Sequence, residues 1–305
     1  VGEHDGRYAP SPSGPLHLGN LRTALIAWLF ARSHGGRFLL RIEDLDPQRS
    51  RPEHERAQLR ELRAIGLDWD GQIVRQSARR ERHREASEEL RRAGRAYPCW
   101  CTRTEVRLAA SAPHVGNRSG AYRGTCRALS QSERAARRRA SAPRAWRLDA
   151  RATTVSFTDR LHGAQARAVD DFVLWRGDDV PAYNLAVVVD DADRRIGEVV
   201  RGDDLLESTP RQVLLAQLLG LPVPRYVHVP LILGPDGRRL AKRHGAVTLE
   251  ERLAAGESPA QVVGFLAASA GLASPGARLG ARDLIAAFDP ERLGRTPTTL
   301  AGPVP

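Results

Sequence analysis

Lys242, in the stretch LAKRHGA, is the single lysine of a chain whose 47 basic residues are otherwise all arginine. An ammonium is a compact point charge on a flexible stem, whereas a guanidinium is a planar fork. One ammonium kept among so many guanidiniums suits a site that selects a point donor. Survival of one lysine codon by chance is the bland alternative. A second site of chemical interest is HLGN, residues 17–20. The free N–H groups and dipole of a helix start attract anions. There His17 can donate to a phosphate oxygen and Gly19 lets a ring or phosphate approach the backbone. A histidine near a helix start can equally be a structural residue. The third is CWC with YRGTC, which supplies Cys99, Cys101, Tyr122 and Cys126. Zinc takes four ligands in a tetrahedron, and three thiolates plus one more would serve. Three buried structural thiols are the reading that spacing alone leaves open beside it.

The elements that must position these groups are legible in the apolar spacing. GRYAP, residues 6–10, reads as a short strand that stops at proline. LRTALIAWLFARSHGG carries a helical apolar face and closes on Gly35 and Gly36. RFLLRIED is a buried strand, and EHERAQLRELRAIGLDWDG an amphipathic helix ending near Gly66. This strand–helix–strand–helix opening predicts an α/β nucleotide-binding domain. A highly charged helix follows over residues 79–95. The stretch 97–182 then holds all three cysteines, many prolines and glycines, and the arginine clusters RRR (137–139) and PRAWR (143–147), and reads as an insertion. Core-like patterning returns with YNLAVVVDD and IGEVVRGDDLL. TPRQVLLAQLLGL is a helix with Pro210 in its first turn, RYVHVPLIL one buried strand, and GPDGRRLAKRHGA a loop bent at Asp236-Gly237. Short helices, including SPAQVVGFLAASAGL, and a loose Pro/Thr tail end the chain.

With 305 residues, 41% of them apolar and 27% charged, the chain can bury a proper core and is neither disordered nor fibrous. Its net charge of +11 favours a polyanionic partner such as nucleic acid, although arginine-rich coding bias gives the same balance. LIAWLFA is too short to cross a bilayer, and no secretion signal is visible. No membrane partner is expected. Three cysteines cannot pair completely, so a reducing cytoplasm is the simpler compartment.

The strings RYAPSPSGPLHLGNLRTAL, RIEDLDPQRS, VVRGDDLLESTP and LAKRHGA occur in that order. Together they resemble the class I aminoacyl-tRNA synthetases, and within them the glutamyl group, over most of residues 5–250. HLGN corresponds to that class's HIGH motif, with Asn20 in place of the second histidine. RRLAKRHG corresponds to its KMSKS loop, with Arg239 and Ala241 at positions usually lysine and serine. The resemblance implies a class I synthetase Rossmann-like parallel sheet with an inserted zinc-bearing α/β domain and a small C-terminal helical domain. Its expected boundaries are 1–84 for the first half of the core, 85–184 for the insertion, 185–238 for the second half, and 239–305 for the loop and helical domain.

The resemblance also implies roles. His17 and Lys242 would be catalytic, and His17, Gly19, Asn20, Lys242 and Arg243 would bind ATP, which brings Mg2+ with it. Arg7, Ser11, Glu43, Tyr183 and Arg201 fall on the glutamate-contacting positions. Arginines suit the carboxylates of a diacid and an acid suits its amine. Glutamyl enzymes of full length commonly have an asparagine four residues after the pocket tyrosine, where this chain has Val187. Cys99, Cys101, Tyr122 and Cys126 match a CxC…YxxxC zinc pattern, implying one structural Zn2+ per chain.

Only about sixty residues follow Lys242, too few for a helical anticodon-reading half. This plan is similar to that of the glutamyl-queuosine tRNA-Asp synthetases. Those activate L-glutamate with ATP without tRNA and transfer it to queuosine at the wobble position of tRNA(Asp), whose anticodon stem-loop enters the catalytic body. The arginines at 137–147 and the helix at 79–95 are candidate phosphate contacts, and a monomer is expected. Three alternatives remain at this point: a minimal glutamyl-tRNA synthetase charging acceptor ends, a non-catalytic RNA-binding paralogue, and a zinc-stabilised nucleotidyltransferase for a small molecule.

Overall fold

The computed structural model describes residues 2–102, 104–106, 122, 124–238, 240 and 247–300. The N-terminal third alternates strand and helix: β1 (Gly6–Tyr8), α1 (Leu18–Ser33), β2 (Phe38–Ile42), α2 (Pro52–Ala64), β3 (Val74–Arg75) and α3 (Arg80–Arg92). β1, β2 and β3 pair in parallel in that order. The expected charged helix over 79–95 is therefore shorter, and a 3-10 turn over Gln76–Arg79 precedes it.

α1 is the structural centre. From Ala24 to Ala31 no residue is more than 1% exposed. The sequence suggested one apolar face, but the helix is apolar nearly all round. It packs on β1, β2 and β9 and also on a C-terminal helix, so it is covered from both sides. Gly35 then adopts a left-handed φ of +67° and ends it.

The middle of the chain forms β4 (Ala96–Cys99), α4 (Gln131–Ala140), β5 (Ala145–Leu148), β6 (Thr154–Asp159), β7 (Gly163–Ala168) and β8 (Val173–Arg176). β4, β5 and β8 make a separate antiparallel sheet. β6 and β7 form a hairpin, and β6 also runs parallel to β10 of the core. The segment 85–184 thus contributes to two sheets.

The core resumes with α5 (Tyr183–Asp193), β9 (Glu198–Gly202), α6 (Thr209–Leu218), β10 (Arg225–Val229) and β11 (Ile232–Leu233). β9, β10 and β6 are parallel neighbours. The amides of Gly197 and Glu198 donate to the Asp5 carbonyl at 2.9 and 3.1 Å, bringing the edge of β9 to β1. The strand order therefore reverses between β1 and β9, the kind of crevice in which open α/β sheets bind ligands beyond their carboxyl ends. RYVHVPLIL is two strands rather than one. Pro230 has no N–H to continue the ladder, and β11 turns away to pair with β12 (Thr298–Thr299). The expected loose tail is accordingly tied down at those two residues. α7 (Leu249–Ala254) packs on α8 (Pro259–Ser269), and α8 covers the far side of α1. Both begin with a capping box, at Thr248 and Ser258. Among the described residues, no helix is long and apolar enough to cross a membrane.

Candidate active site

The chain beyond β1 cannot form a regular ladder, because PSPSGP supplies three prolines and a glycine in six residues. It is held as an ordered loop from outside. Gln58 donates to the carbonyls of Ser11 (3.0 Å) and Gly14 (2.7 Å), the Glu43 amide donates to Pro10 O (3.0 Å), and Glu61 accepts from the Leu16 amide at 3.1 Å. This loop roofs a cleft of about 680 Å³. Arg7 from β1, Ser11 from the loop, Glu43 just past β2, Tyr183 at the start of α5 and Arg201 from β9 all line it, and so do His17, Gly19 and Asn20. The five residues expected to meet an amino acid and the three from HLGN are thus brought to one cavity. Lys242 and Arg243, with Arg239 and Ala241, lie outside the described residues.

HLGN forms a reciprocal cap. The Asn20 amide donates to His17 Nδ1 at 3.2 Å, and the His17 amide donates to Asn20 Oδ1 at 3.3 Å. A neutral imidazole accepting on Nδ1 carries its proton on Nε2. Both side chains therefore have a local structural task as well as a position in the cleft. A Cβ on Gly19 would stand 3.0 Å from the His17 ring, so a larger residue there would press on the capping imidazole.

At the other end of the cleft the charges form a buried lattice. Arg7 Nε donates to both oxygens of Asp191, at 3.2 and 3.3 Å. Arg41 donates to Asp191 as well, and to Glu43 at 3.1 Å. Beneath them the 0%-exposed Asp190 accepts from Arg79 (2.6 Å) and Gln76 (2.9 Å) and pairs with His83 at 2.9 Å. Burial pushes the Glu43 carboxyl above its ordinary 4.5, against the pull of Arg41 and Arg7. Asp191 goes the other way: despite burial, Arg41 and Arg7 hold it below 3.8. The result is one firmly ionised acid that anchors Arg7, and one acid at the cleft wall whose charge an incoming cation would favour.

Arg201 is held separately, by His228 (3.0 Å), Gln212 (2.8 Å) and Thr209 (2.8 Å). Tyr183 is 39% exposed and stands between this cleft and a second, larger one of about 1080 Å³. That second cleft shares Ser11, Glu43 and Tyr183 with the first and is bounded on the far side by Arg144, Arg147 and Arg176. Val187 is 1% exposed in the core. Asn184, next to Tyr183 in the chain, accepts from Gln212 at 3.0 Å.

The sequence missed Arg41, Asp191, Asp190, His228 and Asp159. A charged residue inside an apolar run, as in FLLRI and VVVDD, was the available signal. Two basic features were also placed too far outside. Arg147 is only 9% exposed and donates to Cys99 Sγ (3.3 Å) and Asp171 O (3.2 Å), so it cannot meet a phosphate as one of a surface cluster. Arg79 is committed to Asp190 and Asp193. Arg137, Arg138 and Arg139 are exposed on α4, which buries no residue.

The three cysteine sulfurs lie within 4.8 Å of one another, and the Tyr122 hydroxyl is 3.5 Å from those of Cys99 and Cys101. A tetrahedral zinc with bonds near 2.3 Å needs sulfurs roughly 3.8 Å apart, and Cys101 and Cys126 are at 3.5 Å. The Trp100 amide donates to Cys126 Sγ at 3.4 Å and Arg147 to Cys99 Sγ. Two sulfurs thus already accept hydrogen bonds from nitrogen donors. Burial pushes the Cys101 thiol up to about 12. The donor set and spacing fit a four-ligand metal centre.

The model of the family described as tRNA synthetases class I (E and Q), catalytic domain, matches residues 5–273. The Glutamyl-Q tRNA(Asp) synthetase of Nocardia farcinica is 60% identical over 97% of this chain and 92% of its own length. The protein of the same name from Symbiobacterium thermophilum is 50% identical over 97% and 95%. Among solved structures, a glutamate tRNA ligase from Elizabethkingia meningosepticum in complex with its amino acid superposes with a TM-score of 0.84 at 28% identity. It is matched over 97% of this chain, which spans 66% of that enzyme's length. With its parallel sheet, its capped HLGN helix and its cleft at the strand reversal, the chain belongs to the class I tRNA synthetases of the E and Q group.

Proposed function

We propose that the protein activates L-glutamate with ATP, independently of tRNA, and transfers the glutamyl group to queuosine at the wobble position of tRNA(Asp). The observation that carries this reading is the shared cleft. Two buried arginines and a carboxylate face a space that ends at the N-terminus of a capped helix. The relatives named for this activity, matched over nearly their whole length, support it.

In this reading Arg7 and Arg201 grip the carboxylates of glutamate, Glu43 takes its ammonium, and Ser11 and Tyr183 fix its orientation. Asp191 occupies the Nε edge of Arg7 and so directs the rest of that guanidinium toward the cleft. The α-carboxylate attacks the α-phosphorus of ATP, forming a mixed anhydride and releasing pyrophosphate. His17 and Lys242 stabilise the phosphate charge, and Gly19, Asn20 and Arg243 complete the nucleotide contacts. Mg2+ bound with ATP would neutralise charge on the departing phosphates. A hydroxyl of the queuosine cyclopentene ring then attacks the glutamyl carbonyl and AMP leaves. No covalent enzyme intermediate is needed, because positioning and electrostatics supply the catalysis. The second cleft, open to Tyr183 and edged by arginine, is where the nucleoside would enter. Cys99, Cys101, Tyr122 and Cys126 would hold one structural Zn2+, with no open coordination position. In this plan residues 85–184 serve as the RNA-facing insertion and 239–305 as the nucleotide loop and helical domain.

The test is glutamylation of tRNA(Asp) with and without queuosine, together with tRNA(Glu). Glutamate should appear only on the queuosine-bearing tRNA(Asp). Charging of tRNA(Glu) with none on tRNA(Asp) would overturn the reading in favour of acceptor-end chemistry.

A further inference from the structure

Three side chains on three neighbouring strands form a hydrogen-bonded line that reaches the cleft at Arg201: Asp159 at the end of β6, His228 on β10 and Arg201 on β9. Asp159 and His228 are 1% and 0% exposed. The proton positions follow from the donors. Asp159 Oδ1 accepts from the amides of Leu161 and His162, both at 3.0 Å. Its Oδ2 accepts from the His228 amide at 3.1 Å and faces His228 Nδ1 at 2.7 Å. A carboxylate in that setting only accepts, so Nδ1 must carry a hydrogen. At Nε2 the demand is opposite. Arg201 has no acceptor atom, and its Nε–H points at Nε2 from 3.0 Å. A hydrogen on Nε2 would set two donors against each other. Only the neutral ring with its proton on Nδ1 satisfies both neighbours.

We infer that Asp159 fixes His228 in the Nδ1–H tautomer, and that His228 is thereby the positioning residue that aims Arg201 at the diacid. This rests on the proposed role of Arg201. Five N–H donors belong to a guanidinium, and His228, Gln212 and Thr209 each take one. Two remain for the cleft, the number a carboxylate accepts side by side. Thr209 is compatible with this tautomer: it receives Arg201 Nη2–H at 2.8 Å and passes its own hydroxyl hydrogen to Leu205 O at 3.2 Å.

The informative variant is Asp159→Asn. The amides of Leu161 and His162 hold the carboxamide oxygen at the Oδ1 position, which turns the NH2 toward His228. Nδ1 must then accept, the proton moves to Nε2, and Arg201 loses its acceptor, as when a buried aspartate that orients a catalytic histidine is amidated. In glutamate-dependent ATP–pyrophosphate exchange, KM for glutamate should rise about tenfold or more while KM for ATP stays within about twofold. In His228→Gln, a carboxamide oxygen stands near the Nε2 position with no tautomer to lose. Adding Asp159→Asn to His228→Gln should therefore change the glutamate KM little. A merely structural aspartate would impair both backgrounds alike, and that result would overturn the inference. The wild-type ring is read directly by 15N NMR, its signal assigned by its absence from His228→Gln. A protonated Nδ1 and bare Nε2 are expected at neutral pH, and the reverse would overturn the inference whatever the kinetics. An Arg201→Lys variant with unchanged glutamate KM would remove Arg201 from the substrate site and the positioning role with it. The tautomer would still be readable by NMR, so the two failures are distinguishable.

Discussion

Replacing Asp191 by asparagine removes one charge from the buried lattice and almost nothing else. Asp191 is 8% exposed, and the guanidiniums it serves, Arg7 and Arg41, are 6% and 3% exposed. It accepts from Arg7 with both oxygens and from Arg41. Arg41 has a second partner in Glu43 and lies 4.0 Å from Asp190, whereas the other acceptor given for Arg7 is the neutral Val200 carbonyl at 3.4 Å. Leaving a buried charge without its partner costs about 3–5 kcal/mol. The lower end applies, since asparagine retains one acceptor oxygen for Arg7. With an unfolding entropy of about 2.1 cal/mol/K per residue over 305 residues, each kcal/mol is worth about 1.6 °C, and the melting temperature should fall by roughly 5 °C. The freed Arg7 should also point less well into the cleft. If it supplies one carboxylate contact, KM for glutamate rises about tenfold, which is about 1.4 kcal/mol. Calorimetry and pyrophosphate exchange measure the two effects on the same preparation.

Acid titration gives an internal control on that experiment. Asp191 titrates below its ordinary 3.8 in the folded protein because of Arg41 and Arg7, which outweigh burial. The folded state therefore binds this proton less readily than the unfolded chain. Its contribution is complete above 3.8 and is lost as the pH falls through the lower folded value. The gap in stability between wild type and Asp191→Asn should be widest near neutrality and narrow in that acid window. A variant with unchanged melting temperature and unchanged glutamate KM near neutral pH would refute the view that this carboxylate anchors Arg7.

Three further outcomes are expected. Lys242→Ala should abolish glutamate-dependent ATP–pyrophosphate exchange; retained exchange would remove Lys242 from the mechanism. Gly19→Ala should lower stability by about 1 kcal/mol through loss of the His17 cap, because the new Cβ presses on the imidazole at 3.0 Å; calorimetry reads this, and an unchanged melting point would mean the ring has room to move. Metal analysis of the purified protein should find one zinc per chain, and Cys126→Ala should bind well under one equivalent with a lowered melting temperature; a metal-free wild type that is folded would refute the zinc reading.

The periodic elements were open to sequence reasoning because their signals are local. α1 is marked by apolar spacing and closing glycines, and Pro210 falls in the first turn of α6 as expected. Errors arose where a local signal had a distant cause. RYVHVPLIL breaks at Pro230 because β11 has a partner 66 residues on, at Thr298. Arg147 read as part of a basic cluster, but three long-range contacts bury it beneath Tyr122, Cys99 and Asp171.

Sequence by itself determined the family and marked Arg7, Glu43, Arg201 and HLGN as the groups proposed to grip a diacid and a nucleotide, because they stand in recognisable local strings. Only the tertiary structure decided what holds those groups in place. Asp191 meets Arg7 across 184 residues and Asp159 meets His228 across 69. A buried aspartate and a surface aspartate are written with the same letter; burial and the donors that strand order brings within 3 Å make one of them an anchor.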